Sequence, residues 1–77
     1  MQQIEIKDEF IKLGQALKLA GMVDSGVEAK IEIEEGNVLV NGEQETRRGK
    51  KLRNGDVFSF DGQECSVLAP AAAVDKA

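Results

Sequence analysis

Histidine, tyrosine and tryptophan are all absent from the chain, and it holds one cysteine, one proline and three phenylalanines. Without histidine the commonest general base is missing, and no other pairing of nucleophile and base stands out. A lone cysteine, Cys65, forms no internal disulfide and no cysteine-based zinc site, so the sequence carries no sign of an oxidising compartment. No metal-ligand cluster is visible and no cofactor is expected. No apolar run reaches the ~18 residues of a membrane span, and the N-terminus lacks a signal-peptide core, so the cytoplasm is the expected location. Catalysis finds no foothold elsewhere. Gly49-Lys50 is not a P-loop, because Gln44 stands where that motif has its first glycine and Lys51 replaces its Ser or Thr. Asp24-Ser25-Gly26 suggests a carrier-protein attachment site, but those proteins are helical bundles and this chain has three hairpin-type turn signals. The acidic pairs Glu34-Glu35 and Glu43/Glu45 are read as exposed charges. The chain is not expected to be an enzyme.

What is present is a charge concentrated in one place. Arg47-Arg48-Gly49-Lys50-Lys51-Leu52-Arg53 holds five of the ten basic residues and no acid, counting +5 in a chain of net charge −4 and leaving −9 for the rest. Such polarity favours a phosphate-rich partner approaching one face, although a solvated basic loop would have the same composition. A length of 77 residues allows one domain. A domain near this size buries only ~60% of its unfolded surface, hence one small core.

The periodicity divides the chain. Ile4 and Ile6 alternate with polar neighbours, which predicts a strand within Gln2 to Lys7. Leu13, Ala16, Leu17 and Ala20 lie at helical spacing, with Gln15 and Lys18 outward and Gly21 as the stop; Met22 and Val23 then turn inward. Val27, Ala29, Ile31 and Ile33 fit either a strand or the helical pairs 27/31 and 29/33. The flanks decide for a helix, Ser25 to Glu35, with Ser25 and Glu28 as a capping box and Gly36 as the stop. Glu34 and Glu35 sit at the wrong pole of its dipole, at a cost of a few tenths of a kcal/mol each. Beyond Gly36, Val38-Leu39-Val40, Val57 to Phe60 and Glu64 to Leu68 read as strands, with hairpin signals at Asn41-Gly42, Asn54-Gly55 and Asp61-Gly62. The expectation is an α+β fold: two short helices packed on a small antiparallel sheet of hairpins, in a single domain over 1–69. Residues 70–77 are expected to be a flexible C-terminal tail.

Leu13-Gly14-Gln15 with Leu17-Lys18-Leu19, Ser25-Gly26 with Ala29-Lys30, Val38-Leu39-Val40-Asn41-Gly42, Arg47-Arg48-Gly49-Lys50-Lys51-Leu52 and Gly55-Asp56-Val57, in that order, closely resemble the S-four-type RNA-binding domain. The resemblance covers roughly Ile11 to Leu68 and is to the small free-standing bacterial members of that family. It implies the alpha-L fold, with two helices and the loop leading into the sheet forming one face that holds structured RNA, plausibly ribosomal, through its backbone. Carried onto this chain, it implies contacts from Lys12, Ser25, Lys30, Asn41 and the basic run Arg47, Arg48, Lys50, Lys51 and Arg53. Many members have an arginine where Gly26 stands and an aspartate where Gly14 stands, a departure that bears on affinity rather than fold.

Read by themselves, these residues support the same chemistry less sharply. Arginine forks and lysine point charges neutralise phosphates and release counterions, so about four contacts give a log-log salt slope near −3 to −4. Gly49 would let the backbone turn between the two basic pairs. The N-terminus of the second helix would add a partly positive site near Ser25. Capping alone accounts for Ser25, the turn alone for Asn41, and ordinary surface exposure for Lys12, Lys18 and Lys30; their company with the basic run is what makes them candidates. Phe58 and Phe60 share one strand face, which is read as core, so shape or backbone recognition of folded RNA is preferred over stacking of single-stranded bases. The competing expectation is a protein-interaction adaptor that docks an acidic partner on the same patch or adds a strand at a sheet edge.

Overall fold

A computed structural model describes residues 1–70. The strands are β1 (Gln2–Glu5), β2 (Phe10–Lys12), β3 (Val38–Val40), β4 (Glu43–Gln44), β5 (Lys51–Arg53), β6 (Val57–Phe60) and β7 (Gln63–Leu68); the helices are α1 (Leu13–Leu19) and α2 (Gly26–Glu34). The tail expected at 70–77 lies, beyond Pro70, outside the described residues.

Both helices end as their glycines dictate. After α1, Gly21 adopts φ +76°, and the amides of Gly21 and Met22 donate to the carbonyls of Lys18 and Leu17. After α2, Gly36 adopts φ +84°, and the amides of Gly36 and Asn37 donate to Ile33 and Glu32. These are Schellman closures, which satisfy carbonyls the helix leaves open. At the start of α2 the Ser25 hydroxyl accepts from the Glu28 amide at 3.1 Å, while the Glu28 carboxylate reaches back to the Asp24 amide at 2.9 Å. The ambiguous pattern in α2 resolves by face. Ala29 and Ile33 are fully buried, whereas Val27 and Ile31, about 200° away around the helix axis, remain exposed.

The main sheet has the order β1-β7-β6-β3-β4. Asn41-Gly42 and Asp61-Gly62 both have positive φ at each central residue, closing the β3–β4 and β6–β7 hairpins. β3 and β6 pair antiparallel, so the hairpin strands form the expected antiparallel unit. β1 joins its edge in parallel to β7, with Ile4 beside Val67 and both buried, which makes the whole sheet mixed. Phe58 is buried and Phe60 packs against the same core, along with Leu13, Leu17 and Ile33 of the helices.

At Asn54-Gly55 the structure departs from the expected hairpin. The turn is there, with Gly55 at φ +92° and the Asp56 amide donating to the Arg53 carbonyl. The strands it joins do not pair with each other. β5 pairs antiparallel with β2 in a separate two-stranded ribbon, because Leu52 is fully buried and its cross-strand partner Ile11 packs against the same core. The C-terminal half of the basic run is therefore a strand, held beside the residues that lead into α1.

Candidate nucleic-acid interface

The basic run enters the fold through α1. A seven-residue helix has four N-terminal amides without intrahelical partners, and Lys12, at its N-cap, provides no side-chain bond. Instead the Leu13 amide donates to the Lys50 carbonyl at 2.8 Å and the Gly14 amide to the Arg48 carbonyl at 3.1 Å. Two carbonyls of the basic loop thus cap the helix, and the backbone of the loop is fixed while Arg47 and Arg48 stay exposed and Lys50 is half-buried. Gly14 is buried against Arg48: a Cβ on it would sit 3.5 Å from the Arg48 Cγ, an ordinary contact.

The loop then turns within four residues, with the Lys50 amide donating to the Arg47 carbonyl. Gly49 does not have positive φ and a Cβ there would meet nothing, so the turn does not require the glycine that the sequence reading assigned to it.

This turn divides the five cations. Arg48 faces the helices and, with Lys12, Gln15 and Lys18, borders a groove of about 270 Å³ whose far wall is Gly26, the first residue of α2. Arg47, Lys50, Lys51 and Arg53 border a second, open cleft of about 500 Å³. The ribbon joins the two clefts, since Lys12 and Lys51 are cross-strand partners in β2 and β5. Residues with the same alternation parity share a face, so Phe10, Lys12, Lys51 and Arg53 lie together on the side opposite Ile11 and Leu52. The Lys51 Nζ is 4.7 Å from the Phe10 ring centroid and the Arg53 Cζ 5.5 Å from it.

Several candidates prove to be engaged within the fold. Arg47 is exposed, but its Nε donates to Glu45 Oε2 at 2.9 Å and its amide to the same atom at 3.1 Å. Glu45 is half-buried rather than an exposed charge, and the bond from the Arg47 side chain holds its carboxyl below the usual carboxylate range. The Asn41 amide is used at both ends: its oxygen accepts from the Val57 amide at 3.0 Å and its nitrogen donates to Asp56 at 3.1 Å. Ser25 caps α2. Lys30 is exposed on α2 and borders neither cleft. Sequence reasoning left Phe10 unassigned; its signal was an aromatic residue spaced by two from Lys12, in a strand too short to show periodicity.

Cys65 is buried, and burial pushes its thiol up, away from the reactive thiolate. Among the described residues no group of three or more acidic, cysteine or histidine side chains could hold a metal ion, and no helix is long and apolar enough to cross a membrane.

Known proteins share this architecture. The Bacillus subtilis (strain 168) "Probable ribosome maturation protein RlbA" is 51% identical over 59 residues, which is 77% of this chain and 83% of the relative. YbcJ of Escherichia coli (strain K12) is 43% identical over 63 residues, 82% of this chain and 90% of the relative. The solution structure of YbcJ from E. coli, described as revealing an alfaL motif involved in RNA-binding, matches with a TM-score of 0.70 at 40% identity, covering 90% of this chain and 89% of that one. The family model for the S4 domain matches residues 4–68, a span that takes in both helices, the ribbon and all of the main sheet but the first two residues of β1. The chain belongs to the S4 domain family.

Proposed function

We propose that this protein is a non-enzymatic RNA-binding module that holds structured RNA by its phosphates, across the surface formed by the helix-side groove and the basic cleft. The observation that carries this reading is the convergence of Lys12, Lys18 and Arg48 at the N-terminal end of α2. Two segments distant in sequence, Lys12 to Lys18 and the basic loop, bring exposed cations to one place, beside Lys51 and Arg53 of the ribbon. In a chain of net charge −4, that surface gathers the cations that a polyanion would need. Ser25 and Asn41 serve it by positioning, the first by starting α2 and the second by tying the β3–β4 turn to the start of β6. The RNA-binding and ribosome-maturation descriptions of the relatives support the same reading and point to ribosomal RNA as the substrate class.

Charge reversal tests it. Arg48→Glu with Lys51→Glu is expected to abolish binding to a folded ribosomal RNA fragment in a filter or mobility assay while leaving the circular dichroism spectrum unchanged. Wild-type RNA affinity in a folded double variant would contradict it, and retention of an acidic protein instead of RNA by the wild type would favour an adaptor.

A further inference from the structure

Two of the three phenylalanines belong to the core: Phe58 is fully buried and Phe60 packs against the core cluster. Phe10 stands outside that cluster. It occupies the outer face of the β2–β5 ribbon, where its neighbours are the charged groups of Lys51 and Arg53, with Lys12 two residues along the same face. The ribbon is anchored from its other face by Ile11 and Leu52, so the core does not need the ring.

An aromatic ring with two cations against it and a third along the same face selects its ligand by exclusion. A cationic ligand is repelled by those charges. An acidic peptide satisfies the charges but leaves the ring uncovered. A nucleotide satisfies both, because every base has a π-face and every linkage a phosphate. Phe10 is half-buried with Lys51 and Arg53 over its ring; both cations are exposed and on flexible stems, so their charged ends can swing off the ring face to phosphates flanking a base that takes their place.

We propose that Phe10 is a stacking platform for one unpaired nucleobase of the RNA, with Lys12, Lys51 and Arg53 bonding the phosphates on either side of it. The inference rests on the RNA-binding reading above and narrows its substrate: the preferred RNA carries an unpaired nucleotide, such as a bulge or a helix-end overhang, next to a duplex whose phosphates occupy the helix-side groove.

The test compares two short RNA hairpins, one fully paired and one with a single bulged adenosine, against wild type, Phe10→Leu and Phe10→Trp. The wild type is expected to prefer the bulged hairpin about tenfold, as loss of one aromatic–base stack would give. Phe10→Leu should bind the fully paired hairpin as the wild type does and lose that preference. Phe10→Trp introduces the only tryptophan of the chain, and its emission should be quenched by the bulged hairpin but not by the paired one. Equal wild-type affinity for the two hairpins, or an equal loss on both with Phe10→Leu, would overturn the platform while leaving the phosphate-binding reading intact. Failure of the wild type to bind either hairpin at low salt would instead overturn that reading, and the platform with it. Binding of a polyglutamate peptide that Phe10→Leu weakens would overturn the base-stacking assignment in favour of a protein ligand.

Discussion

The amide of Gly14 donates to the carbonyl of Arg48 across 3.1 Å, which ties the first turn of α1 to the middle of the basic loop. Arg48 is held there by its backbone and not by its guanidinium. Arg48→Ala should therefore leave the thermal unfolding midpoint within a degree or two of wild type, as for a surface substitution away from any cap or core. It should still lower affinity for structured RNA by about tenfold and make the log-log salt slope shallower by about one. Calorimetry and a salt series on the variant check both halves.

Glu45 and Arg47 are linked in the same loop by a 2.9 Å ion pair, which on the proposed reading competes with RNA phosphates for Arg47. The pair lowers the pKa of Glu45, so it is fully formed above the ordinary carboxylate range and is lost as pH falls through the lowered value. Glu45→Gln removes an anion beside the cleft and frees Arg47, with an expected gain in RNA affinity of up to about fivefold, the scale of an exposed ion pair. The carboxyl of Glu45, followed by NMR, should titrate below the usual carboxylate range, and Arg47→Ala should raise it.

A Cβ at Gly26 meets no atom within 4 Å, and the residue lines the groove that holds Lys12, Lys18 and Arg48. No atom near the Cβ position therefore bars the arginine that the resemblance implies for many family members here. Gly26→Arg should tighten RNA binding by roughly three- to tenfold and steepen the salt slope by about one. A positive charge at the start of α2 costs a few tenths of a kcal/mol against the helix dipole, roughly offset by replacing glycine, so stability should barely change. Equilibrium binding across a salt series measures the gain.

Gly36 has two independent reasons to be glycine. Its φ is +84°, and a Cβ would fall on the amide of Gln44, whose nitrogen donates to the Gly36 carbonyl at 2.9 Å. Gly36→Ala should cost about 1–2 kcal/mol, from the left-handed backbone and the displaced hydrogen bond. Urea unfolding should show a lower midpoint with an unchanged slope.

These residues also show what could be read from the chain alone. Local signals were legible because their physics is local: the Ser25–Glu28 box, Gly21 and Gly36, and the Asn41-Gly42 and Asp61-Gly62 turns appear where their backbone requirements place them. Phe58 and Phe60 face the core as their spacing implies. The ribbon was not legible, because Phe10–Lys12 and Lys51–Arg53 are three residues each and their pairing spans some forty residues of chain. The parallel addition of β1 to β7 has no local signature either. In the site, composition identified the basic run, but its division did not follow from composition. Arg47 and Arg48 are neighbours that diverge because one finds Glu45 and the other lies against Gly14. For Asn41, the side chain that made the residue a candidate contact is consumed by Val57 and Asp56.

The central claim is that cations gathered from α1, the ribbon and the basic loop neutralise the phosphates of folded RNA. A salt titration of binding to a structured ribosomal RNA fragment, beside a single strand of the same composition, tests it most directly. The account predicts preference for the folded RNA and a log-log slope near −3 to −4, corresponding to about four phosphate contacts. A slope near zero, or equal affinity for the single strand, would contradict it.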